Sequence, residues 1–241
     1  MFANTRGDGF LKWRDGLSAR PRAADYAWTV LARLMAWAKN RGRLKTNPCE
    51  KAGRLYRANR ADRVWTDADI ERFNKVASEP LKAALLLALW TGQRQDDLLT
   101  LSWAAYDGAT IRLKQSKGGR NVSIPVVAVL RQKLRLMGRR RTAITILTNT
   151  RGKPWTGSGF RASWRTACAR ASISDLHFHD LRGTFVSRMA ASGASEAEIA
   201  AITGHSLAQV SRVLDGYLHR SRALSENGIR KLEENVGRTK L

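Results

Sequence analysis

Between Leu176 and Tyr217 the chain reads LHFHDLRGTFVSRMAASGASEAEIAAITGHSLAQVSRVLDGY, a stretch crowded with side chains that could do chemistry. Three of the four histidines, His177, His179 and His205, lie in it, and His219 follows just beyond. A helix is expected to open at Asp180, with His179 and Arg182 bracketing its first turn. Helix N-termini present unpaired N–H groups, so a histidine and an arginine placed there make a ready anion site. Tyr217 offers a hydroxyl as a nucleophile. Each piece has an ordinary reading as well: a His-x-x-Arg at a helix start is commonly a cap, and Tyr217 shares a helical stripe with Val210, Leu214 and Leu218, where a core tyrosine is the default. Taken together they call for a phosphate.

Such residues need elements to position them. Gly193 is expected to end the helix Asp180–Ala191, Ser195 and Glu198 form a capping box for Glu196–Thr203, Gly204 terminates that helix, and Ser206 caps the one bearing Tyr217. Upstream, Pro80 begins a helix, LKAALLLALW, apolar on nearly every side and therefore central. It stops at Thr91-Gly92 and leaves Arg94 at a corner, with Asp97 three residues on and able to reach back to it; an ordinary local ion pair has the same signature. From Thr110 the period changes to two, Ile111, Leu113 and Gln115 alternating with Arg112 and Lys114 before SerLysGlyGlyArg and then Val122 and Ile124. This predicts a β-hairpin with positive φ at Gly118-Gly119 and Lys117 at its tip. Helices over Val126–Met137 and Phe160–Ala171 and a short strand over Ile144–Leu147 follow. This whole region opens at Thr66, whose capping box with Asp69 starts a helix burying Ile70, Phe73 and Val76.

The part before it is short and basic. Phe10–Leu17 is an amphipathic piece too short to fold alone. Ala23–Lys39 repeats apolar residues at Ala27, Val30, Leu31, Leu34 and Ala38 before Gly42 ends the helix. Arg20, Arg22, Arg33, Lys39, Arg41, Arg43 and Lys45 surround it, a density beyond what solubility requires. After Asn47-Pro48, the segment holding Arg54, Arg57 and Arg60 has little apolar periodicity and reads as a linker lying along phosphates.

Composition bounds the partner. The chain has 241 residues with 43 Lys+Arg against 20 Asp+Glu, a formal charge of +23, the sign and size that attract polyanions. Nucleic acid leads, because no apolar run approaches the roughly 18 residues of a membrane span. No signal peptide is read at the N-terminus. Cys49 and Cys168 fit neither a disulfide framework nor a paired metal motif and read as packing residues in a reducing cytoplasm.

Arg94 in TGQRQDDLL, Lys117 in QSKGGR, His179-Asp-Leu-Arg182, Gly204-His205 and Tyr217, met in that order, resemble the tyrosine recombinases, the phage-integrase family, and especially integrases of bacterial prophages and genomic islands. The resemblance implies a mainly α (α+β) fold. Residues 1–53 would be part of a helical core-binding domain, 54–64 a basic linker, and 65–241 a mostly helical catalytic domain with a small antiparallel sheet and a C-terminal tail. It implies a 3′-phosphotyrosyl intermediate formed with no metal and no cofactor. Arg94 and Arg182 would clamp the phosphate, Tyr217 attack, Lys117 protonate the 5′ oxygen, His179 act as general base or phosphate ligand, and His205 donate a further hydrogen bond. Asp97 would orient Arg94. Arg22, Arg33, Lys39, Arg41, Arg43, Lys45, Arg54, Arg57 and Arg60 would meet DNA.

The partners so implied are double-stranded attachment-site DNA, bound as half-sites, and further copies of the chain, four in the synaptic complex, in the bacterial cytoplasm at the nucleoid. The tail carries Ile229, Leu232 and Val236 on one face and would dock on its own or a neighbouring catalytic domain. Asp96 and Gly118 depart from residues common in the family, glycine and threonine. Few residues precede the Pro21 helix, so the N-terminus reads as shortened. The competing readings are a type IB topoisomerase, a non-catalytic DNA-binding derivative, and a metal-dependent nuclease built on His177, His179, His205 and His219.

Overall fold

In the computed structural model the described residues are 7–50, 53–56, 60, 63–218, and 226, 229, 230 and 233 of the tail; for 7, 8 and 216–218 only the backbone is described. Arg57, His219, Leu232 and Val236 lie outside them. The chain divides into two compact units, Met1–Asn59 and Arg60–Leu241.

In the first unit, helix α1 (Gly7–Asp15) packs on helix α2 (Pro21–Asn40). Pro21 starts α2 at the one place where a missing N–H costs nothing. Phe10, Trp28 and Cys49 form its small core, with Leu11, Leu31, Ala32 and Met35 against it. The inward stripe of α2 is therefore Ala24, Trp28, Leu31 and Met35. Of the expected stripe only Leu31 is shared with it, and Val30 and Leu34 are more than half exposed. Apolar residues on two faces fit the same 3.6-residue period, so the position of α1 decides which face is buried. The Asn47 side chain closes the turn into Cys49 by accepting from its N–H and donating to the Ala32 carbonyl.

The second unit is built around helix α4 (Glu79–Thr91), eight of whose 13 residues are buried. Helix α3 (Asp67–Val76) precedes it and opens with the full Thr66/Asp69 capping box. After α4 come the single turn α5 (Gln95–Leu99), a 3-10 turn at Trp103–Ala105, and a hairpin of β1 (Thr110–Lys114) and β2 (Asn121–Pro125), Ile111 opposite Ile124 and Leu113 opposite Val122. Helices α6 (Ala128–Gly138), α7 (Gly157–Arg170), α8 (Asp180–Ala191), α9 (Glu196–Thr203) and α10 (Leu207–Leu218) follow. The fold is thus mostly helical with a two-stranded antiparallel sheet.

Two cores result. Trp65, Phe73, Phe160, Trp164 and Phe178 interlock as edge-on and tilted aromatic pairs beside α4. Val186, Ala190, Ile199, Val210 and Leu214 join α8, α9 and α10. The strand expected over Ile144–Leu147 is replaced by isolated bridges, Ser102 with Thr145 and Thr148 with Pro154, because no neighbouring run continues the pairing. Among the described residues no helix is long and apolar enough to cross a membrane.

Candidate active site

The site is assembled where α4 ends, α8 begins, the hairpin tip folds over and α9 stops. Gly92 ends α4 in the left-handed conformation, φ 62°, and a Cβ there would press to 2.9 Å from Cγ of Phe185. That close approach of α4 to α8 lets the Gly92 carbonyl accept from Arg182 Nη1 at 2.7 Å. Arg182, on the first turn of α8, is 4% exposed and also donates from Nε to His205 Nε2 at 3.0 Å. Its Nη2 is buried and has no hydrogen-bond partner among the described residues.

Arg94 stands at the N-cap of α5 with its guanidinium directed to the hairpin. Nη1 donates to Gln115 Oε1 at 3.1 Å and lies 3.8 Å from Asp97 Oδ2. Asp97 does not make its tightest bonds to Arg94, as the spacing suggested. Its Oδ1 accepts from the Ser116 N–H and hydroxyl at 2.7 and 2.8 Å, tying α5 to the hairpin turn. Lys117 is exposed at that turn, one residue beyond this anchor.

Burial, then the charge of Arg94, lowers the Arg182 guanidinium to about 9; Asp97 opposes the shift. His205 accepts from Arg182 on Nε2, so its ring proton sits on Nδ1, which is buried without a partner among the described residues. Burial, followed by Arg182 and Arg94, lowers this imidazole to about 3. His179, at the N-cap of α8, is lowered for the same reasons, burial first and then Arg182, with Arg94 and Lys117 adding to it. Both rings are neutral near pH 7.

Arg94, His179, Arg182 and His205 are thus brought within electrostatic reach of one another, and Lys117 reaches His179. Tyr217 is on the last turn of α10, the helix that follows His205; its side chain is outside the described residues. His177 is in a loop rather than on a strand, its N–H donating to Asp180 Oδ2 at 2.7 Å, so the His-x-His pair is not a strand motif.

Sequence reading passed over Gln93, Gln115 and Arg120. Gln115 is 1% exposed and bonds Arg94, Gln93 and the Thr203 carbonyl; Arg120 donates to the carbonyls of Gly204 and His205. The available signal was Gln115's place in the inward register of Ile111 and Leu113, where a polar residue needs buried partners.

Of the expected DNA-contacting residues, Arg60 is committed elsewhere: it forks onto Asp180 at 2.6 and 3.2 Å and onto the Asp175 carbonyl at 2.9 Å. A buried carboxylate at a helix start needs that partner more than DNA does. In the first unit Arg22 stacks 4.5 Å over Tyr56, Arg41 and Arg43 lie over Trp37, and Lys39 pairs with Glu50. Arg33, Lys45 and Arg54 are exposed.

Residues 63–223 match the family model described as "Phage integrase family". The chain belongs to the phage integrase family. Like it are the shufflon-specific DNA recombinase of Escherichia coli, 33% identical over 172 residues, 68% of this chain and 42% of that protein, and the integrase of Salmonella phage P22, 27% identical over 145 residues, 52% of this chain and 36% of that one. This phage integrase family chain therefore spans about two fifths of the length of the curated relatives it matches. Its fold is that of the lambda integrase dimer bound to a COC′ core site (TM-score 0.75, 21% identity, 91% of this chain and 82% of that one). It is shared as well by the Tn1549 transposon integrase with circular intermediate DNA (TM-score 0.72, 14% identity, 95% and 86%).

Proposed function

We propose that this phage integrase family member is a site-specific DNA recombinase that cuts and rejoins DNA through a 3′-phosphotyrosyl intermediate, with Tyr217 as nucleophile. The carrying observation is Arg182: a buried guanidinium beside a second arginine, next to a neutral imidazole, with its Nη2 and the imidazole Nδ1–H both without a hydrogen-bond partner among the described residues. Two cations and two idle donors at that density are costly in the free protein and favourable once a phosphate enters.

In the reaction the Tyr217 oxygen bonds to phosphorus as the bond to the 5′ oxygen breaks. His179, neutral, receives the tyrosyl proton; Lys117 gives one to the departing 5′ oxygen, so charge balances. Arg94 and Arg182 bind the non-bridging oxygens, and the His205 Nδ1–H donates to one of them. Asp97 fixes the hairpin that carries Lys117 and offsets part of the arginine charge. Religation is the reverse, with a new 5′ hydroxyl as nucleophile. No metal enters these steps, and adduct formation should be unchanged by EDTA.

The substrate is double-stranded DNA bound as two half-sites per duplex. One solved relative is a lambda integrase tetramer on a Holliday junction, and four protomers are the assembly proposed for strand exchange here. Arg22, Arg33, Lys39, Arg41, Arg43, Lys45 and Arg54 are the phosphate-facing cations of the first unit and linker. A duplex nicked so that cleavage is irreversible should become covalently attached to the wild type. Tyr217→Phe should abolish attachment while leaving non-covalent affinity within about twofold, since only a hydroxyl is removed. Attachment persisting in that variant at Tyr26, Tyr56 or Tyr106 overturns the assignment of the nucleophile, and DNA binding by a wild type that never forms the adduct overturns the enzyme.

A further inference from the structure

The side chain at the centre of the site is one that carries no charge. Gln115 follows β1, and its carboxamide is buried between two other chain segments, Gln93-Arg94 and Thr203-Gly204. Oε1 accepts from Arg94 Nη1 at 3.1 Å, and Nε2 donates to Gln93 Oε1 and to the Thr203 carbonyl, each at 2.7 Å. Gln93 extends the net: its Nε2 donates to the Thr91 carbonyl at the end of α4 and to the Ile202 carbonyl near the end of α9, both at 2.9 Å. Both carboxamides are almost fully buried, 1% and 2% exposed. Their orientation is forced, because only Nε2 toward the carbonyls and Oε1 toward the guanidinium satisfies every donor.

The backbone is shaped around this group. Gly204 ends α9 at φ 68°, and a Cβ there would lie 2.7 Å from both Cδ and Nε2 of Gln115, inside any tolerable contact. The residue after that glycine is His205, which Arg182 holds. Arg120, from the far side of the same hairpin turn, donates to the carbonyls of Gly204 and His205 at 3.3 and 2.8 Å.

We infer that Gln115 is a positioning residue for phosphate transfer, the rigid link that fixes Arg94 relative to the His205 connection and to the Lys117 turn. This rests on the recombinase reading above. Without the carboxamide, Arg94 loses its firmest hydrogen bond, since Asp97 is 3.8 Å away, and the end of α9 loses its tie to the hairpin. A catalytic group displaced by about 1 Å costs on the order of a hundredfold in rate, while phosphate binding, spread over many cations, is barely touched.

The test uses the full chain and a nicked, irreversibly cleaved duplex, with single-turnover adduct rate, equilibrium DNA affinity and thermal unfolding measured together. Gln115→Met keeps length and flexibility and deletes both polar atoms. The expected result is a cooperative unfolding transition, affinity within about threefold of wild type, and an adduct rate lower by about a hundredfold. In an Arg94→Lys background the same change should cost less than about threefold more, because the residue it acts through is already altered. Should Gln115→Met fail to fold, Gln115→Glu decides: it keeps shape and the oxygen facing Arg94, loses both N–H donors, and should slow adduct formation by about tenfold at unchanged affinity. An unchanged adduct rate in the folded variant, or a full multiplicative loss in the Arg94→Lys background, overturns the assignment while the recombinase reading stands. A wild type that binds the duplex but never forms the adduct overturns both.

Discussion

At the scale of single residues, the site uses burial to set protonation. In the folded chain His205 is held at about 3, by burial first and by Arg182 and Arg94 next, against an ordinary 6.5 when unfolded. Between those values the unfolded chain binds a proton that the folded chain does not. Stability from this group is therefore complete above about 6.5 and is lost as pH falls toward about 3. His179, lowered likewise, adds in the same direction. The carboxylates with lowered values, such as Asp25, Asp69, Glu79 and Asp107, start from ordinary values of 3.8 to 4.5 and so add to the loss mainly below about pH 5. The urea midpoint should then drop between about pH 7 and about pH 5, and His205→Gln should shrink the drop; a wild-type midpoint flat across that range would refute the buried neutral imidazole. Gly204 gives a second residue-scale expectation. Gly204→Ala adds the left-handed penalty of about 1–2 kcal/mol and a clash with Gln115, and should lower the urea midpoint. An alanine variant as stable as wild type would mean the Gln115 carboxamide moves freely.

The elements owe their ends to local chemistry and their arrangement to a few long-range ties. Helix α8 is placed by Trp65, whose backbone N–H donates to Thr184 and whose indole donates to the His177 carbonyl, and by Arg60 on Asp180. Asp180 has a side chain only 4% exposed, so removing Arg60 leaves a buried carboxylate that keeps the His177 N–H at 2.7 Å but loses its fork of guanidinium donors. Arg60→Ala should destabilise the catalytic unit by about 1.5–3 kcal/mol, the worth of a hydrogen bond to a charged group, in thermal or urea unfolding. Arg54→Ala, exposed in the same basic segment, should leave unfolding unchanged and weaken DNA binding. If the two variants behave alike, Arg60 is a surface cation after all. Helix α9 depends on its Ser195/Glu198 box, and Ser195→Ala should cost about 1 kcal/mol by the same measurement.

For the whole molecule, the excess of 23 positive charges is what would draw it to the DNA proposed as its substrate. If about eight phosphates are neutralised, log K should fall against log salt with a slope of about −7. The slope should flatten by about one for each phosphate-facing cation removed, independent of sequence. A slope near zero in a salt titration would remove DNA as the partner. Of the tail's apolar stripe, Ile229 is exposed, and Leu232 and Val236 lie outside the described residues. Deleting 225–241 tests its proposed part in assembly: a folded monomer that binds a half-site but forms no synaptic complex supports docking on a neighbour, whereas an aggregated monomer shows that the tail completes its own unit.

Local signals in the sequence were enough for the helix caps at Thr66 and Ser195, the stops at Gly92 and Gly204, the hairpin, and the burial of α4, because each rests on residues a few positions apart. The ordered set from Arg94 to Tyr217, proposed above as the site, rests on the same kind of signal: each member sits in its own short motif. Tertiary structure decided what lies between motifs. Which stripe of α2 turns inward depends on α1, since two faces are apolar. Whether Ile144–Leu147 becomes a strand depends on how far a partner runs beside it, and the pairing with Ser102 stops at the single bridge to Thr145. Asp97 turning to Ser116, Arg60 to Asp180 and Gln115 to Arg94, Gln93 and Thr203 are choices made across tens of residues, where a buried polar group takes whichever partner the packing brings within hydrogen-bond length.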